Sequence, residues 1–314
     1  MAGTVSVSNL WSIILAGGEG ERLRPFVQRW LGRHRPKQYC TFIGSRSMFQ
    51  HTLDRADLLS SPDHRVTVIA KSHQQEALAQ FVDRDTGKIV MQPANRDTAA
   101  GVFLALAHVR ACNPQATVVV YPSDHFVYPE ARFVKVVEAA KRAADLLNDH
   151  LVLLAVAPDR IEPEYGWIQP GLQLGSVGEH GLHKVELFVE KPNATVARQF
   201  LSSRGLWNTL ILTAKVETLW ALGWRFFPEM MRMFEQYGAA IGTSKEDAVR
   251  EVMYREMPAR NFSSHLLQRL PEQVAAIEMT GVLWCDWGKP HRIVDTLQRI
   301  GKLPAFPLEY AAVA

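Results

Sequence analysis

Five near-continuous apolar runs of strand length constrain this chain more than anything else in it: WSIIL at 11–15, RVTVIA at 65–70, KIVM at 88–91, TVVVY at 117–121 and LVLLAVA at 151–157. A strand with one wet face alternates apolar with polar residues, whereas a strand covered on both faces is apolar throughout. Stretches with helical spacing separate the runs. In the clearest, Asp97 to Cys112, residues Ala99, Val102, Phe103, Leu106, Ala107 and Val109 recur behind Asp97 or Thr98 as N-cap. The pattern predicts an α/β fold, doubly wound, with a mostly parallel mixed sheet between two helical layers. Ligands in such sheets sit beyond the carboxyl ends of the strands, so chemistry is expected after residues 15, 121 and 157.

From about residue 158 the texture changes. PDRIEPEYGWIQPG, HKVELFVEKP at 183–192 and LWNTLILTAK at 206–215 read as strands and loops that wall a substrate site. Residues 216–270 read as helices with Met and aromatic residues in the core, followed by a short strand pair, AAIEM and VLWCDWG, and a last helix near 290–300. No repeat, low-complexity tract or linker interrupts the chain. The expected division is an α/β core with an inserted wall over 1–240, and a helical and strand extension over 241–314 packed on it.

Charge and cysteines narrow the setting. Lys plus Arg number 35 against 32 Asp plus Glu, a balance too even for a surface that coats nucleic acid, though it allows a small anionic substrate. Cys40, Cys112 and Cys285 form no CxxC pair and are odd in number, which predicts reduced thiols and a cytoplasmic protein. The start MAGTVSVSNLW lacks a basic leader region, and the run Trp11 to Ala16 is far short of the roughly 18–20 residues that span a bilayer. No membrane partner is expected.

The first run leads into Leu15-Ala16-Gly17-Gly18-Glu19-Gly20-Glu21-Arg22-Leu23-Arg24-Pro25. Glycines let successive N–H groups approach phosphate oxygens, and Arg22 or Arg24 can add a bidentate donor. The GGxG spacing is neither the dinucleotide fingerprint nor the GxxxxGK[ST] loop. Lys37 follows in Arg35-Pro36-Lys37-Gln38-Tyr39. Asp124 ends the fourth run in Tyr121-Pro122-Ser123-Asp124-His125, and Asp286 stands between two tryptophans in Trp284-Cys285-Asp286-Trp287-Gly288. Each is a hard oxygen donor suited to Mg²⁺ beside phosphate, and a carboxylate among indoles is costly to bury without a partner. Glu190-Lys191-Pro192 offers an acceptor and an ammonium for a sugar phosphate. No GxSxG, nucleophilic cysteine motif or zinc spacing stands out beyond His180-x-x-His183.

Taken in order, LAGGEGERLRP (15–25), RPKQYC (35–40), SMFQHTLDR (47–55), PANRDTAAG (93–101), PSDH (122–125), YGWIQPG (165–171), FVEKP (188–192), WN (207–208) and WCDWG (284–288) resemble the sugar-nucleotide pyrophosphorylases, above all the mannose-1-phosphate guanylyltransferases. The resemblance implies a Rossmann-like nucleotidyltransferase fold and an Mg²⁺-dependent transfer of a nucleotidyl group from GTP to mannose 1-phosphate, giving GDP-mannose and pyrophosphate. It implies catalytic roles for Arg22, Lys37 and Asp124, and nucleotide binding by Leu15, Ala16, Gly17, Gly18, Gly20, Arg96 and Thr98. Tyr165, Gly166, Glu190, Lys191 and Asn208 would bind the sugar phosphate, and Asp124 and Asp286 would hold the Mg²⁺.

Three departures from the family pattern stand out: Arg96-Asp97-Thr98-Ala99-Ala100 for Arg-Asn-Thr-Ala-Pro, Thr209-Leu210 where Ser-Gly would follow Trp-Asn, and Gly288-Lys289-Pro290 for Gly-Ser-Trp. Leucine disfavours φ > 0, so Leu210 is expected to follow an ordinary strand path and point into the core with the LILTA run. Neither the C-terminal isomerase domain nor the left-handed β-helix of longer relatives is expected, and a homo-oligomer stays open. Two rivals remain: a cytidylyltransferase of the methylerythritol-phosphate type, and a non-catalytic regulatory homologue that senses nucleotide sugars.

Overall fold

The computed structural model describes residues 9–82 and 84–311. Its strands are β1 (Leu10–Ala16), β2 (Arg65–Ala70), β3 (Lys88–Gln92), β4 (Thr117–Pro122), β5 (Phe126–Tyr128), β6 (Leu151–Val156), β7 (Gly166–Val177), β8 (His180–Glu190), β9 (Leu206–Lys215), β10 (Val274–Glu278) and β11 (Leu283–Cys285). Nine of them form one sheet in the order β3-β2-β1-β4-β9-β6-β10-β8-β7, and β5 and β11 form a separate ribbon. The pairings β1–β2, β2–β3, β1–β4 and β6–β10 are parallel, and only β8 and β9 run against the other strands of the sheet. A further pairing of β7 onto β9 closes β9, β6, β10, β8 and β7 into a ring.

All residues of β2, β4 and β6 are buried, as their apolar runs require. Alternate residues serve different cores. Ile13, Val118 and Val120 face the helices at Asp97–Cys112, Val216–Phe226 and Pro228–Ala240, whereas Ile14, Val119 and Tyr121 face those at Met48–Asp57 and Glu130–Leu146. A third, smaller core gathers Leu23, Phe26, Phe42, Trp287, Ile293, Leu297 and Phe306 behind the ribbon. Among the described residues no helix is long and apolar enough to cross a membrane.

The α/β architecture and the five runs stand where the sequence puts them, but three expectations need correction. AAIEM and VLWCDWG do not pair with each other: the first is β10, inside the main sheet between β6 and β8, and the second is β11, paired with β5. The last part of the chain thus supplies a strand inside the main sheet. The helix Asp97–Cys112 begins without a side-chain N-cap. Leu210 does not follow an ordinary strand path; it has φ 57 at a register shift where Leu154 pairs with Ile211 and Ala155 with Asn208. The backbone there keeps the left-handed turn that a glycine would favour, with a leucine bearing the strain.

Candidate functional site

A cleft of 630 Å³ opens at the carboxyl ends of β1, β3 and β4, lined among others by Gly17, Gly18, Gln92, Thr98, Asp124 and Leu210. Its floor is the glycine turn, and the Pro36–Tyr39 segment holds that turn from below. The Gln38 amide donates to the carbonyls of Ala16 (3.0 Å) and Gly18 (2.7 Å), and the Tyr39 hydroxyl donates to Ala16 (3.0 Å). Gly20 has φ 66, and a Cβ there would lie 2.7 Å from the Lys37 backbone nitrogen. Both the conformation and the close approach demand glycine. Ser123 ties the adjoining strand end down, donating from its backbone N–H (3.1 Å) and hydroxyl (2.8 Å) to the Leu15 carbonyl.

Lys37 is only 4% exposed and bridges two segments far apart in sequence. Its ammonium pairs with Asp124 Oδ2 at 2.8 Å and donates to the backbone carbonyl of Asp286 at 2.5 Å. Two of its three N–H groups are thereby used, leaving one for a ligand. Asp124, with 37% of its side chain exposed, faces the cleft, and its Oδ1 has His125 Nε2 at 3.6 Å. Burial opposes its ionisation, but Lys37 and His125 outweigh that and hold the carboxyl below its usual range. Burial pushes the His125 imidazole below its ordinary range, with Asp124 opposing.

Asp286 is placed very differently. Its Oδ1 accepts from the Tyr165 hydroxyl (2.5 Å), Arg292 Nη1 (3.0 Å) and the Gly288 backbone N–H (3.1 Å), and its Oδ2 pairs with Arg22 Nη2 (3.0 Å). Burial alone would raise its pKa; Lys37, the Tyr165 hydrogen bond, Arg22 and Arg292 reverse that and leave it far below the carboxylate range. Arg292 also holds Glu162 and, at 3.1 Å, Glu164.

The residues that the resemblance assigns to the sugar phosphate gather at the rim of the closed ring. Gly166 is paired with Glu190, and a Cβ on Gly166 would come 2.7 Å from Glu190 Oε2 and 3.3 Å from Asn208. Burial raises the Glu190 pKa, with Lys191 opposing and Asp97, across the cleft wall, adding to it. Asn208 Oδ1 accepts from the Leu210 N–H at 3.1 Å, which leaves its amide N–H groups as donors. Lys191 is exposed.

Several assigned residues are otherwise engaged. The Arg96 guanidinium donates to the carbonyls of Tyr254 (2.7 Å) and Arg255 (3.0 Å) and so caps the helix Glu246–Glu256. The Tyr165 hydroxyl donates to Asp286. Arg22 is drawn to Asp286 and Glu164 beside the turn. Ala16 is buried and contributes its carbonyl, whereas Leu15 lines the cleft. Sequence reasoning missed Gln92, whose position at the end of β3 was the available clue, and the trio Glu162, Glu164 and Arg292, which carried none beyond the Gly288-Lys289-Pro290 departure.

The nucleotidyl transferase family profile matches residues 11–302. The chain belongs to that family. A mannose-1-phosphate guanylyltransferase of Salmonella montevideo is 32% identical over 202 residues, 63% of this chain and 41% of its own. Mannose-1-phosphate guanylyltransferase 2 of Escherichia coli O157:H7 is 26% identical over 301 residues, 90% of this chain and 59% of its own. The chain thus spans about half the length of these curated relatives. Among solved structures, a Thermus thermophilus protein described as a mannose-1-phosphate geranyltransferase superposes with TM-score 0.78 at 24% identity, over 94% of this chain and 80% of that one, a likeness of fold.

The divalent cation implied by the family resemblance can be tested against the donor set. Asp124 fits: it is a hard oxygen donor at the cleft floor with one oxygen free of any cationic nitrogen within pairing distance except His125. Asp286 does not fit as it stands, because three protein donors occupy its Oδ1 and the Arg22 guanidinium pairs with its Oδ2. No group of three or more His, Cys, Asp or Glu is poised around a common point among the described residues.

Proposed function

We propose that this chain transfers a nucleotidyl group from a nucleoside triphosphate to a hexose 1-phosphate, with GTP and mannose 1-phosphate as the preferred pair and Mg²⁺ as the cofactor. The observation that carries the reading is the single cleft in which Gly17, Gly18 and Asp124 face the same space, with Lys37 bound to Asp124 beneath it, in a member of a family with curated relatives named mannose-1-phosphate guanylyltransferase. An oxygen of the sugar phosphate attacks the α-phosphorus in line, and the bond to the bridging oxygen breaks as pyrophosphate leaves. The nucleophile is already deprotonated at pH 7, so no general base is required. A divalent cation at Asp124 would neutralise negative charge on the phosphates.

The chain's own residues position and screen. The N–H groups of residues 17–20 and the free N–H of Lys37 act on phosphate oxygens, and Asn208 and Glu190 act on sugar hydroxyls at the ring rim. Holding both substrates in line removes much of the entropic barrier. Pyrophosphate release from four triphosphates, each paired with several hexose 1-phosphates, tests the reading. GTP with mannose 1-phosphate should give the highest kcat/KM; a tenfold preference for UTP or dTTP with glucose 1-phosphate would replace the assignment.

A further inference from the structure

The two carboxylates that the family resemblance pairs on one cation live in opposite surroundings. Asp124 looks into the cleft. Asp286 has 6% of its side chain exposed, and four donors meet it: the Tyr165 hydroxyl, Arg292 Nη1, the Gly288 N–H and Arg22 Nη2. Three of these donors meet Oδ1 and Arg22 alone meets Oδ2, so two guanidinium groups already balance the charge of the carboxylate.

Arg292 is as deeply placed as Asp286, with 5% of its side chain exposed. Its Nη2 binds Glu162 and Glu164, its Nη1 also lies 3.1 Å from the Tyr165 hydroxyl, and its guanidinium carbon stands 5.3 Å from the Tyr165 ring centre. A cation arriving at Asp286 would have to displace Arg22 from Oδ2, or at Oδ1 break into the buried cluster that Arg292 shares with Glu162 and Glu164. The local sequence supports the placement. Lys289 pairs with Glu164 at 3.2 Å, and Pro290 opens the helix Pro290–Arg299, setting Arg292 in its first turn over Asp286.

We propose that the Arg292 guanidinium is the resident cation of Asp286, and that Asp286 is a positioning residue for Arg22 while the divalent cation loads on Asp124 and the nucleotide phosphates without it. This rests on the nucleotidyl-transfer reading above. The Lys37 contact uses the backbone carbonyl of Asp286, so it survives the loss of the side-chain charge, whereas the Arg22 contact does not.

The test is Mn²⁺ titration in the presence of GTP, followed by the electron paramagnetic resonance signal of free Mn²⁺. Asp124→Asn should weaken Mn²⁺ binding about tenfold or more, whereas Asp286→Asn should stay within about threefold of the unaltered chain. In turnover, Asp286→Asn and Arg22→Gln should each raise the KM for GTP by about tenfold, and the double variant no further, because the two act as one unit. If Asp286→Asn fails to fold, Arg292→Gln takes its place: Mn²⁺ affinity within about threefold of the unaltered chain supports the proposal, and tenfold tighter binding overturns it by showing that Asp286 takes the cation once the guanidinium is gone. Equal loss in Asp286→Asn and Asp124→Asn overturns this inference alone. An unaltered chain that holds no Mn²⁺ with GTP overturns the nucleotidyl-transfer reading and this inference with it.

Discussion

In the open half of the sheet, β3, β2, β1 and β4 lie side by side in one direction and bring their carboxyl ends to one edge. In the closed half, β9 and β8 run backwards, and the ring brings the start of β7, the end of β8 and the start of β9 to a common rim. The open half offers backbone N–H groups, a half-exposed carboxylate and an ammonium, which suits phosphate. The closed half offers Glu190 and Asn208 held at fixed spacing by paired strands, which suits hydroxyls. On the proposed reading one half works through charge and the other through geometry, so damage to the two should look different.

The largest effect is expected in the open half. Asp124→Asn should slow turnover by about two orders of magnitude or more, the scale of losing one preorganised electrostatic element, with some loss of thermal stability because the buried Lys37 ammonium loses its carboxylate partner. Near-normal turnover would remove Asp124 from the chemistry and blur the division between the halves.

The closed half should respond in stability first. Leu212 on β9 is fully buried, and Leu212→Ala should cost about 2–5 kcal/mol in denaturant unfolding. Two residues earlier the outcome should differ. Leu210→Gly loses partly buried surface but relieves roughly 1–2 kcal/mol of left-handed strain at φ 57, so its net cost should stay below about 2 kcal/mol. Leu210 also lines the cleft, so this variant should shift the KM for the substrates. An equal cost at both positions would mean that the bulge carries no strain.

These two leucines show where sequence was legible and where it was not. The runs of β1, β2, β4 and β6 announce a sheet covered on both faces because their burial is nearly uniform, and the glycine turn and Asp124 follow from where those runs end. β10 was misplaced because a five-residue apolar strand says nothing of its neighbours, and its partners lie more than ninety residues away in sequence. Leu210 looked like strand because propensity outweighs a local bulge on paper, whereas the pairing of Asn208 and Ile211 imposes the turn. The motif around Arg96 gives no sign that its guanidinium reaches two helix-terminal carbonyls some 158 residues away. The cluster of Arg292 with Glu162 and Glu164 was unreadable, since separated charged residues normally signal a solvated surface.

A smaller effect distinguishes the buried ionic cluster from the cleft. Asp124, Glu164 and Asp286 are each more acidic than usual in the folded chain. Such groups stabilise the fold above their unfolded pKa of about 4, and that stability drains away as pH falls through the lower folded values. Thermal unfolding followed from about pH 5 down to pH 2 should therefore show a falling midpoint, with a shallower slope in Asp286→Asn. Parallel slopes would mean that Asp286 adds nothing to the acid sensitivity.

The division of labour between the halves is tested most directly by a crystal structure with GDP-mannose bound. The account predicts the diphosphate against the backbone of residues 17–20, the guanine toward Asn95 to Thr98, and the hexose at the ring rim within hydrogen-bond distance of Glu190 and Asn208. A hexose seated on the open half, or a nucleotide bound in the cavity behind the ribbon beside Phe42 and Phe126, would contradict it.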